Sequence, residues 1–561
     1  MIKFADFPYV RPDLADLTRR MEEQIARIRD AKSLGEAFLA IIESDHVEQV
    51  FVSYATISEA GNTNNSYDKF YAAEEEFFAK AKPEFSLLMQ KRNQAIFDCA
   101  FVEDLRRLLG TEFFDSAAMR ARTVSPDVLE IMNREGILSQ EYSVIMSQMS
   151  AMDEGEKLTL GQLAQRGNSA DHEVRRKYAV LSEQALMKAG ERLDTLYHDM
   201  VQLRHQIALG TGFANYTDYC LCKHGRTGYG REELAAFADA VEHHLVPLVA
   251  EVMAWQAAQL DHPMMQYDEG NAFPGRQVSV KKELLPAFRE IFGKLSPETK
   301  VLFDELTRRE FYDLELRDGK TNGAYSNLVP LCHMPYIFET YNATPGAVKT
   351  FAHECGHGLN TFMHRGEAVM GAVDCSSDIA ETHSMSMEFF IWHYLDAILE
   401  EEDIELYKYM HLMNTLTFIP YGTAIDRFQT EVYDHPEMTP AQRRQLWKDL
   451  EKRFLPWRKY EPGLFYDEGR IWQRQIHVMK WPFYYIDYVL AQVCALQFWA
   501  MDQQDHDHAF ESYLELIRNS GMYSFSEVLH RSGLKTPFEP GVMESICKQV
   551  ESTVTEMRKS L

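Results

Sequence analysis

The stretch from Thr344 to Gly366 carries the pattern that most constrains how this chain can fold. Thr344 and Pro345 are typical of a helix start, because the threonine can cap the first turn and the proline fits within it. Apolar residues follow at helical spacing, and Gly366 suits the end of the helix. The pentad H-E-C-G-H at 353–357 therefore lies in the middle of a predicted helix.

The pentad places two histidines on one side of that helix. Residues four apart in a helix share a face, so His353 and His357 can bind the same metal ion. Glu354 lies one step further round, where it can contact a metal-bound water without binding the metal. Zinc-dependent peptide hydrolysis needs this combination of two imidazoles and a carboxylate base. The pattern predicts one zinc ion with an open coordination position.

A second predicted helix, capped by Ser377 or Asp378, offers several candidates for a third ligand. The side chains that could bind zinc are Asp378, Glu381, His383 and Glu388. Spacing favours Glu381, which lies 24 positions after the pentad and shares a face with Glu388. Asp378 and Glu388 are suited to accept hydrogen bonds from the outer N–H groups of the ligand histidines. The choice among the four stays open on spacing alone.

The residues between Gly323 and Tyr341 break the helical pattern. They are rich in aromatic and β-branched residues, and Pro330 and Pro335 interrupt them, which predicts short edge strands rather than a central strand. An edge strand beside the metal helix can bind an extended peptide through its main chain. A small sheet that only supports the helix would have the same pattern, so both interpretations stay open.

Helical periodicity covers most of the rest of the chain. Apolar residues recur three and four positions apart in several long stretches. For one of these helices, Asn168 and Ser169 supply the start signal, and the glycines at 210 and 212 supply the end. The predicted helices are 13–43, 171–207, 231–260, 282–312 and 380–410.

Charge and composition exclude several classes of protein. The 561 residues carry a net charge of −27, which argues against nucleic-acid binding because phosphates need concentrated Lys and Arg. The N-terminus reaches charged residues at once, and the most apolar stretch, 482–501, contains Asp487. Neither a signal peptide nor a membrane span is therefore predicted, and the expected location is the cytoplasm. Eight scattered cysteines predict no disulfide framework.

Several motifs in a fixed order resemble one family of enzymes. The two metal-binding segments are similar to those of the thimet oligopeptidase and oligoendopeptidase F family of zinc metallopeptidases. The other motifs are nearest to its shorter bacterial branch, oligoendopeptidase F and Pz-peptidase. The motifs that carry the resemblance lie at 171–176, 212–219, 323–325, 335–341, 350–359 and 379–388.

The resemblance implies a role for each site residue. His353, His357 and Glu381 would bind one zinc ion, and Glu354 would take a proton from the attacking water and pass it to the leaving nitrogen. A later aromatic segment would stabilise the oxyanion. The further residues are His477, Tyr485 and Tyr488 for the oxyanion, Gly323, Ala324, Tyr325 and Tyr484 for the substrate, and Asp378 and Glu388 behind the zinc ligands.

The same resemblance implies a mainly α, large and elongated fold with a deep substrate channel and a small β-sheet next to the pentad helix. Residues 1–165 would form an N-terminal helical region that contributes to the channel wall. Residues 166–561 would form the catalytic region, with the zinc site and the C-terminal helices. The expected function is a zinc endopeptidase acting on short oligopeptides. The alternatives are a zinc exopeptidase on a similar scaffold and a catalytically inactive peptide-binding protein.

Overall fold

The structure is a computed structural model and describes every residue except Met1, Asn271, Ala272, Pro274, Gly275, Lys281, Lys282 and Val373. Its contacts divide the chain into two compact units, each made of three separated stretches. The first unit comprises Met1–Ala121, Val278–Ile404 and Cys494–Lys535. The second unit comprises Arg122–Gln277, Glu405–Val493 and Thr536–Leu561. The expected boundary near residue 165 stays a prediction.

The fold is mainly helical, as predicted. The α-helices in chain order are α1 (Leu14–Asp30), α2 (Leu34–Asn64), α3 (Lys69–Phe97), α4 (Val102–Leu109), α5 (Thr111–Ala121), α6 (Leu129–Gln148), α7 (Leu160–Gly167), α8 (His172–Met187), α9 (Gly190–Gly210), α10 (Tyr216–Lys223), α11 (Arg231–Ala240), α12 (Val246–Ala257), α13 (Leu284–Leu295), α14 (Pro297–Arg309), α15 (Pro345–Met363), α16 (Ser377–Phe390), α17 (Ile404–Asp434), α18 (Pro440–Phe454), α19 (Ile476–Lys480), α20 (Tyr485–Asp502), α21 (His506–Asn519), α22 (Phe525–Arg531) and α23 (Val542–Ser560). The strands are β1 (Ser150–Asp153), β2 (Glu156–Thr159), β3 (Tyr312–Asp313), β4 (Ala324–Val329) and β5 (Met334–Glu339).

Local capping explains where many of these helices begin. The Asp13 side chain accepts hydrogen bonds from two backbone N–H groups at the start of α1, and the Ser33 hydroxyl accepts one at the start of α2. The helices α1, α2 and α3 then pack through their buried apolar faces into the N-terminal part of the first unit. Phe51 of α2 stacks on Phe85 of α3 with the ring centroids 4.0 Å apart.

Three of the predicted helices are split by residues that favour a break. The predicted helix at 13–43 is α1 followed by α2, and α2 begins after the cap Ser33. The predicted helix at 171–207 is α8 followed by α9, and α8 begins after the cap Asp171 rather than at Ser169. The break falls before Gly190, where a Cβ would come within 2.7 Å of the Arg470 guanidinium. The predicted helix at 282–312 is split before Pro297, which has no N–H to continue the hydrogen-bond ladder of α13.

The predicted helix at 380–410 is also interrupted, and the predicted helix at 231–260 changes its winding. After Phe390, the last residue of α16, the chain forms a 3-10 stretch at Ile391–Ala397 before α17 begins. Tyr394 departs from helical geometry there, with φ −129° and ψ 20°. A π-helical turn at Val241–Leu245 joins α11 to α12.

A three-stranded sheet lies beside the pentad helix α15, as predicted. The strand order is β3-β5-β4, with β4 antiparallel and β3 parallel to β5. The prediction of edge strands is right for β4 and wrong for β5, which is central and buried along its length. Pro335 is tolerated in β5 because β3 pairs only with Ile337 and Phe338, so no partner on that side needs the missing N–H.

The fully buried Arg204 connects several helices of the second unit. Arg204 of α9 donates hydrogen bonds to the Tyr433 hydroxyl at 2.8 Å, to Glu135 and to the carbonyl of Met479. Because these partners come from α6, α17 and α19, the arginine fixes three separate helices. Removing one partner of such a buried charge is strongly destabilising.

All eight cysteines have free thiols in the structure. In the described part of the chain, no helix combines the length and the apolar character needed to cross a bilayer.

Candidate active site

The pentad lies on α15, and local sequence explains how this helix starts. The Thr344 hydroxyl accepts a hydrogen bond from the Ala347 N–H at 3.2 Å, and Pro345 is the first helical residue, as predicted. The helix ends at Met363, three residues before the predicted stop. The following residue, His364, donates a hydrogen bond from Nε2 to the carbonyl of Ile517 at 2.8 Å.

The two pentad histidines and Glu381 converge on one point within the first unit. The Nε2 atoms of His353 and His357 lie 3.3 and 3.7 Å from Glu381 Oε2. The three side chains offer one ligand atom each within 4.8 Å of one another. With zinc bonds of about 2.0–2.1 Å, ligand atoms of a tetrahedral site lie about 3.3 Å apart. The separations therefore fit a tetrahedral zinc site.

Glu388 holds the outer nitrogen of one of these histidines. The His353 Nδ1–H donates to Glu388 Oε1 at 2.8 Å, which would leave the Nε2 lone pair for a metal ion held together with Glu381. Lys349, which the sequence reasoning missed, places its Nζ 3.6 Å from the other oxygen of Glu388. The arrangement orients the ring and balances the carboxylate charge.

The other candidates for the third ligand have different surroundings. His383 Nε2 hydrogen-bonds to the Ser520 hydroxyl at 2.8 Å. Asp378 is buried at the start of α16, where its carboxylate accepts hydrogen bonds from the Ile379 N–H and the Ser376 hydroxyl. Ser376 is the N-cap, one position before the predicted cap. The carboxylate that meets both pentad histidines is that of Glu381.

The close approach of α15 and α16 depends on Gly356, the fourth residue of the pentad. A Cβ at this position would lie 2.7 Å from the His383 carbonyl oxygen and 2.7 Å from Ser384 Cα. These are backbone atoms of a helix that is buried from Glu381 to Phe390, so they cannot move aside easily. The glycine therefore allows Glu381 to reach the histidines.

We expect Gly356→Ala to destabilise the protein by about 1–3 kcal/mol, because it forces the two backbones apart. The same shift should reduce metal binding. Thermal unfolding and zinc content are the measurements. Gly358→Ala is the matched control, since its Cβ would make ordinary contacts of 3.5–3.6 Å with Pro335, Ile337 and Ser326. Equal effects of the two substitutions would contradict this explanation.

The electrostatic surroundings of Glu354 suit a proton acceptor at neutral pH. Burial raises the pKa of Glu354 to about 7; the charge of His353 opposes this shift, and those of Glu381 and Glu388 add to it. Burial also raises the pKa of Glu339, on β5, to about 8, and the charge of Glu354 contributes to that shift. A base with a pKa near the working pH transfers protons most effectively.

The late aromatic segment is assembled within the second unit. The His477 ring centroid lies 5.8, 5.0 and 5.7 Å from those of Tyr484, Tyr485 and Tyr488. The Gln475 amide donates to His477 Nδ1 at 2.8 Å, so the neutral ring carries its proton on Nε2. The helix α20, which carries Tyr485 and Tyr488, begins at Tyr485. The structure brings these four predicted residues together.

The predicted substrate-binding residues at 323–325 lie at the start of β4. Tyr325 stacks on Phe338 with ring centroids 4.9 Å apart, and its hydroxyl lies 2.7 Å from the Thr63 hydroxyl of α2. Neighbouring strand residues point to opposite faces, and Ser326 faces α15 near Gly358. The Tyr325 side chain is thus on the face away from α15, and its main chain pairs with Phe338 of β5.

The outer edge of β4 has main-chain groups directed away from the sheet. The Gly323 carbonyl accepts a hydrogen bond from Thr340 at 3.0 Å, which makes these two a hydrogen-bonded pair of the antiparallel ladder. Because such pairs alternate, the N–H and C=O groups of Ala324 and Ser326 point away from β5. Within the described residues β4 pairs with β5 alone, so these groups form an open edge.

Comparison with known proteins identifies the family. Two family models match the chain: the Peptidase M3 N-terminal domain over residues 4–124 and Peptidase family M3 over residues 298–546. A solved structure of an oligoendopeptidase F is 32% identical, with a TM-score of 0.91 and coverage of 99% of both chains. The chain belongs to peptidase family M3. This confirms the predicted family and, with it, the metallopeptidase class.

Two other M3 relatives extend the likeness. The structure of PZ peptidase A with an inhibitor is 30% identical, with a TM-score of 0.91 and full coverage of both chains. Oligopeptidase PepF of Bacillus subtilis (strain 168) is 23% identical over 274 residues. That match spans 48% of this chain and 40% of the length of PepF. The second M3 family model covers the pentad, Glu381 and the late aromatic segment.

Proposed function

We propose that this M3 peptidase is a zinc-dependent endopeptidase that cleaves internal bonds of short oligopeptides. The observation that carries the proposal is the convergence of His353, His357 and Glu381, with Glu354 on the same helix. Two imidazole nitrogens and one carboxylate oxygen are the donor set of catalytic zinc sites. These three residues would hold the ion, which would polarise the scissile carbonyl and lower the pKa of a water.

Glu354 performs the proton transfers in this proposal. Its carboxylate takes a proton from the attacking water and later delivers it to the nitrogen of the leaving amine. The side chain is only 6% exposed, so the carboxylate exchanges protons with little competition from bulk water. Burial, which raises its pKa to about 7, keeps both protonation states accessible near neutrality.

The aromatic segment would stabilise the negative charge that develops on the carbonyl oxygen. His477 with its Nε2–H and the hydroxyls of Tyr485 and Tyr488 are the donors of this segment. Donors held in position for the transition state lower the barrier without tightening ground-state binding.

We expect Tyr488→Phe to lower kcat by about 10²–10³-fold, the usual effect of removing one oxyanion donor. KM should change much less, because the hydroxyl acts on the transition state. Steady-state kinetics on a quenched peptide would measure both constants, and Tyr484→Phe is the comparison within the same ring cluster. A rise in KM with an unchanged kcat would assign Tyr488 to substrate binding instead.

The open edge of β4 would hold the substrate. An extended peptide can add to Ala324 and Ser326 as a further strand through main-chain hydrogen bonds. This mode suits peptides of varied sequence, since the contacts are made to the backbone. A deep channel that admits short peptides and excludes folded proteins is part of the proposal, as is action in the cytoplasm.

The type of cleavage is tested with peptides blocked at both termini. An endopeptidase cuts such a peptide internally, whereas an exopeptidase leaves it intact, and mass spectrometry of the products distinguishes them. A folded protein that contains the same cleavable sequence serves as the control and should survive. Cleavage of the folded protein at the same rate would refute the restricted channel, and no cleavage of any peptide by zinc-loaded protein would favour the inactive peptide-binding alternative.

A further inference from the structure

Two histidines meet a buried aspartate in the first unit, apart from the pentad. His393 lies in the 3-10 stretch after α16, Asp502 is the last residue of α20 and His506 is the first residue of α21. His393 Nε2 is 2.7 Å from Asp502 Oδ2, and His506 Nδ1 is 2.6 Å from Asp502 Oδ1. The three ligand atoms lie within 4.8 Å of one another.

The cluster combines a fixed carboxylate with access from solvent. The Asp502 side chain is 1% exposed, whereas those of His393 and His506 are 38% and 22% exposed. The Tyr394 hydroxyl lies 3.2 Å from His506 Nε2, the nitrogen that faces away from Asp502. Metal-bound histidines usually form such a hydrogen bond through their second nitrogen.

We propose that His393, Asp502 and His506 form a second site for a divalent transition-metal ion, of which Zn²⁺ is the test case. The ion would replace the protons shared between the imidazoles and the carboxylate. The present N···O separations would have to open by roughly half an ångström to reach tetrahedral spacing. Two imidazoles and one carboxylate favour zinc and its neighbours over Mg²⁺ or Ca²⁺, which prefer oxygen ligands.

A third group of two histidines and one aspartate has surroundings that disfavour a metal ion. His172, His262 and Asp268 of the second unit also lie within reach of one another. There, however, the Arg175 guanidinium donates to Asp268 Oδ1 from two nitrogens, at 2.8 and 3.0 Å, so a cation already occupies the carboxylate. The Met265 N–H binds the other oxygen at 3.0 Å. In the described part of the chain, Asp502 has ion-pair partners only in its two histidines.

The location of the second site gives it a structural consequence. The 3-10 stretch that holds His393 continues directly from α16, the helix that carries Glu381 and Glu388. The helix α21 and the residue after it already contact α16, because the Tyr513 hydroxyl donates to the His383 carbonyl at 2.9 Å and Ser520 binds the His383 ring. An ion between His393 and His506 would fasten the C-terminal end of the same helix.

The stoichiometry of zinc binding tests the proposal. Tag-free protein is dialysed against micromolar Zn²⁺ and its metal content is measured. His357→Ala is expected to remove the first ion, leaving one equivalent at the second site. Adding His393→Ala should leave none. Adding His508→Ala should leave one equivalent, because His508 is an exposed histidine of α21 that lies outside the cluster. Retention of the equivalent without His393 would overturn the proposal.

A spectroscopic readout identifies the ligands and checks folding. In the His357→Ala protein, Co²⁺ should produce visible d–d absorption that is lost on adding His393→Ala or, as a second variant, His506→Gln. Circular dichroism confirms that each variant is folded. Zn²⁺ should raise the Tm of His357→Ala protein but not that of the His357→Ala, His393→Ala protein. A Tm that depends on pH and not on Zn²⁺ would mean that the cluster binds only protons, and the proposal would be wrong. None of these measurements depends on peptide hydrolysis.

Discussion

Replacing Glu354 by Gln is expected to lower kcat for peptide hydrolysis by about 10²–10⁴-fold, the range attributed to a general base. The amide has nearly the same shape as the carboxylate but cannot accept the proton of the attacking water. Zinc content should equal that of the wild type, because Glu354 is not among the three converging residues proposed to bind the ion. Steady-state kinetics and metal analysis on the same preparation measure both effects.

The control for this substitution is Glu367→Gln, which changes an exposed carboxylate just beyond α15. It should leave kcat, KM and zinc content unchanged. If Glu354→Gln hydrolysed peptides at the wild-type rate with a full complement of zinc, another group would have to be the base. If it lost zinc, the substitution would have disturbed the metal centre, and the kinetic result would count against the separation of roles proposed for the pentad.

Glu381→Ala should remove the metal and the activity together. Only two imidazoles would remain, and zinc affinity should fall by more than about 100-fold, the upper limit for loss of an outer hydrogen-bond partner. Competition with a zinc-binding dye measures the affinity. Glu381 Oε2 lies 3.3 and 3.7 Å from the two Nε2 atoms, and among the described residues it is the carboxylate grouped with both histidines.

Asp378→Asn is the matched control, since Asp378 is a buried acid on the same helix. Its carboxylate accepts hydrogen bonds at the helix start, and the amide oxygen can still accept them. The variant should retain most of its zinc. Loss of zinc from this variant but not from Glu381→Ala would identify Asp378 as the ligand and Glu381 as a supporting residue.

Features set by neighbouring residues could be predicted from the sequence. The start of α15 follows from Thr344 and Pro345, and the common face of His353 and His357 follows from helical geometry. Both are present in the structure because the start of a capped helix and the spacing of its side chains are set by residues close together in the sequence. The division of 282–312 was hidden because apolar spacing continues across Ser296, although the Ser-Pro pair was itself a local signal.

Features that depend on packing between distant segments could not be predicted. Spacing could not decide among four possible third ligands, because the choice depends on how α16 crosses α15. The small residue at Gly356 was a signal for that close crossing, and its meaning becomes clear only beside His383. The central position of β5 also could not be predicted from the sequence. Pro335 is acceptable in a central strand only because β3 is two residues long.

The enclosure of α16 has a consequence for the order of events during synthesis. His383, two residues after Glu381, is bound by Ser520, which lies 137 positions later in the chain. At about 5–20 residues per second, a ribosome needs on the order of ten seconds to make that stretch. Until then, the carboxylate helix lacks the partners that hold it against α15. A nascent chain would therefore not complete the packing around the proposed metal centre before Ser520 has been made, and zinc would be acquired late.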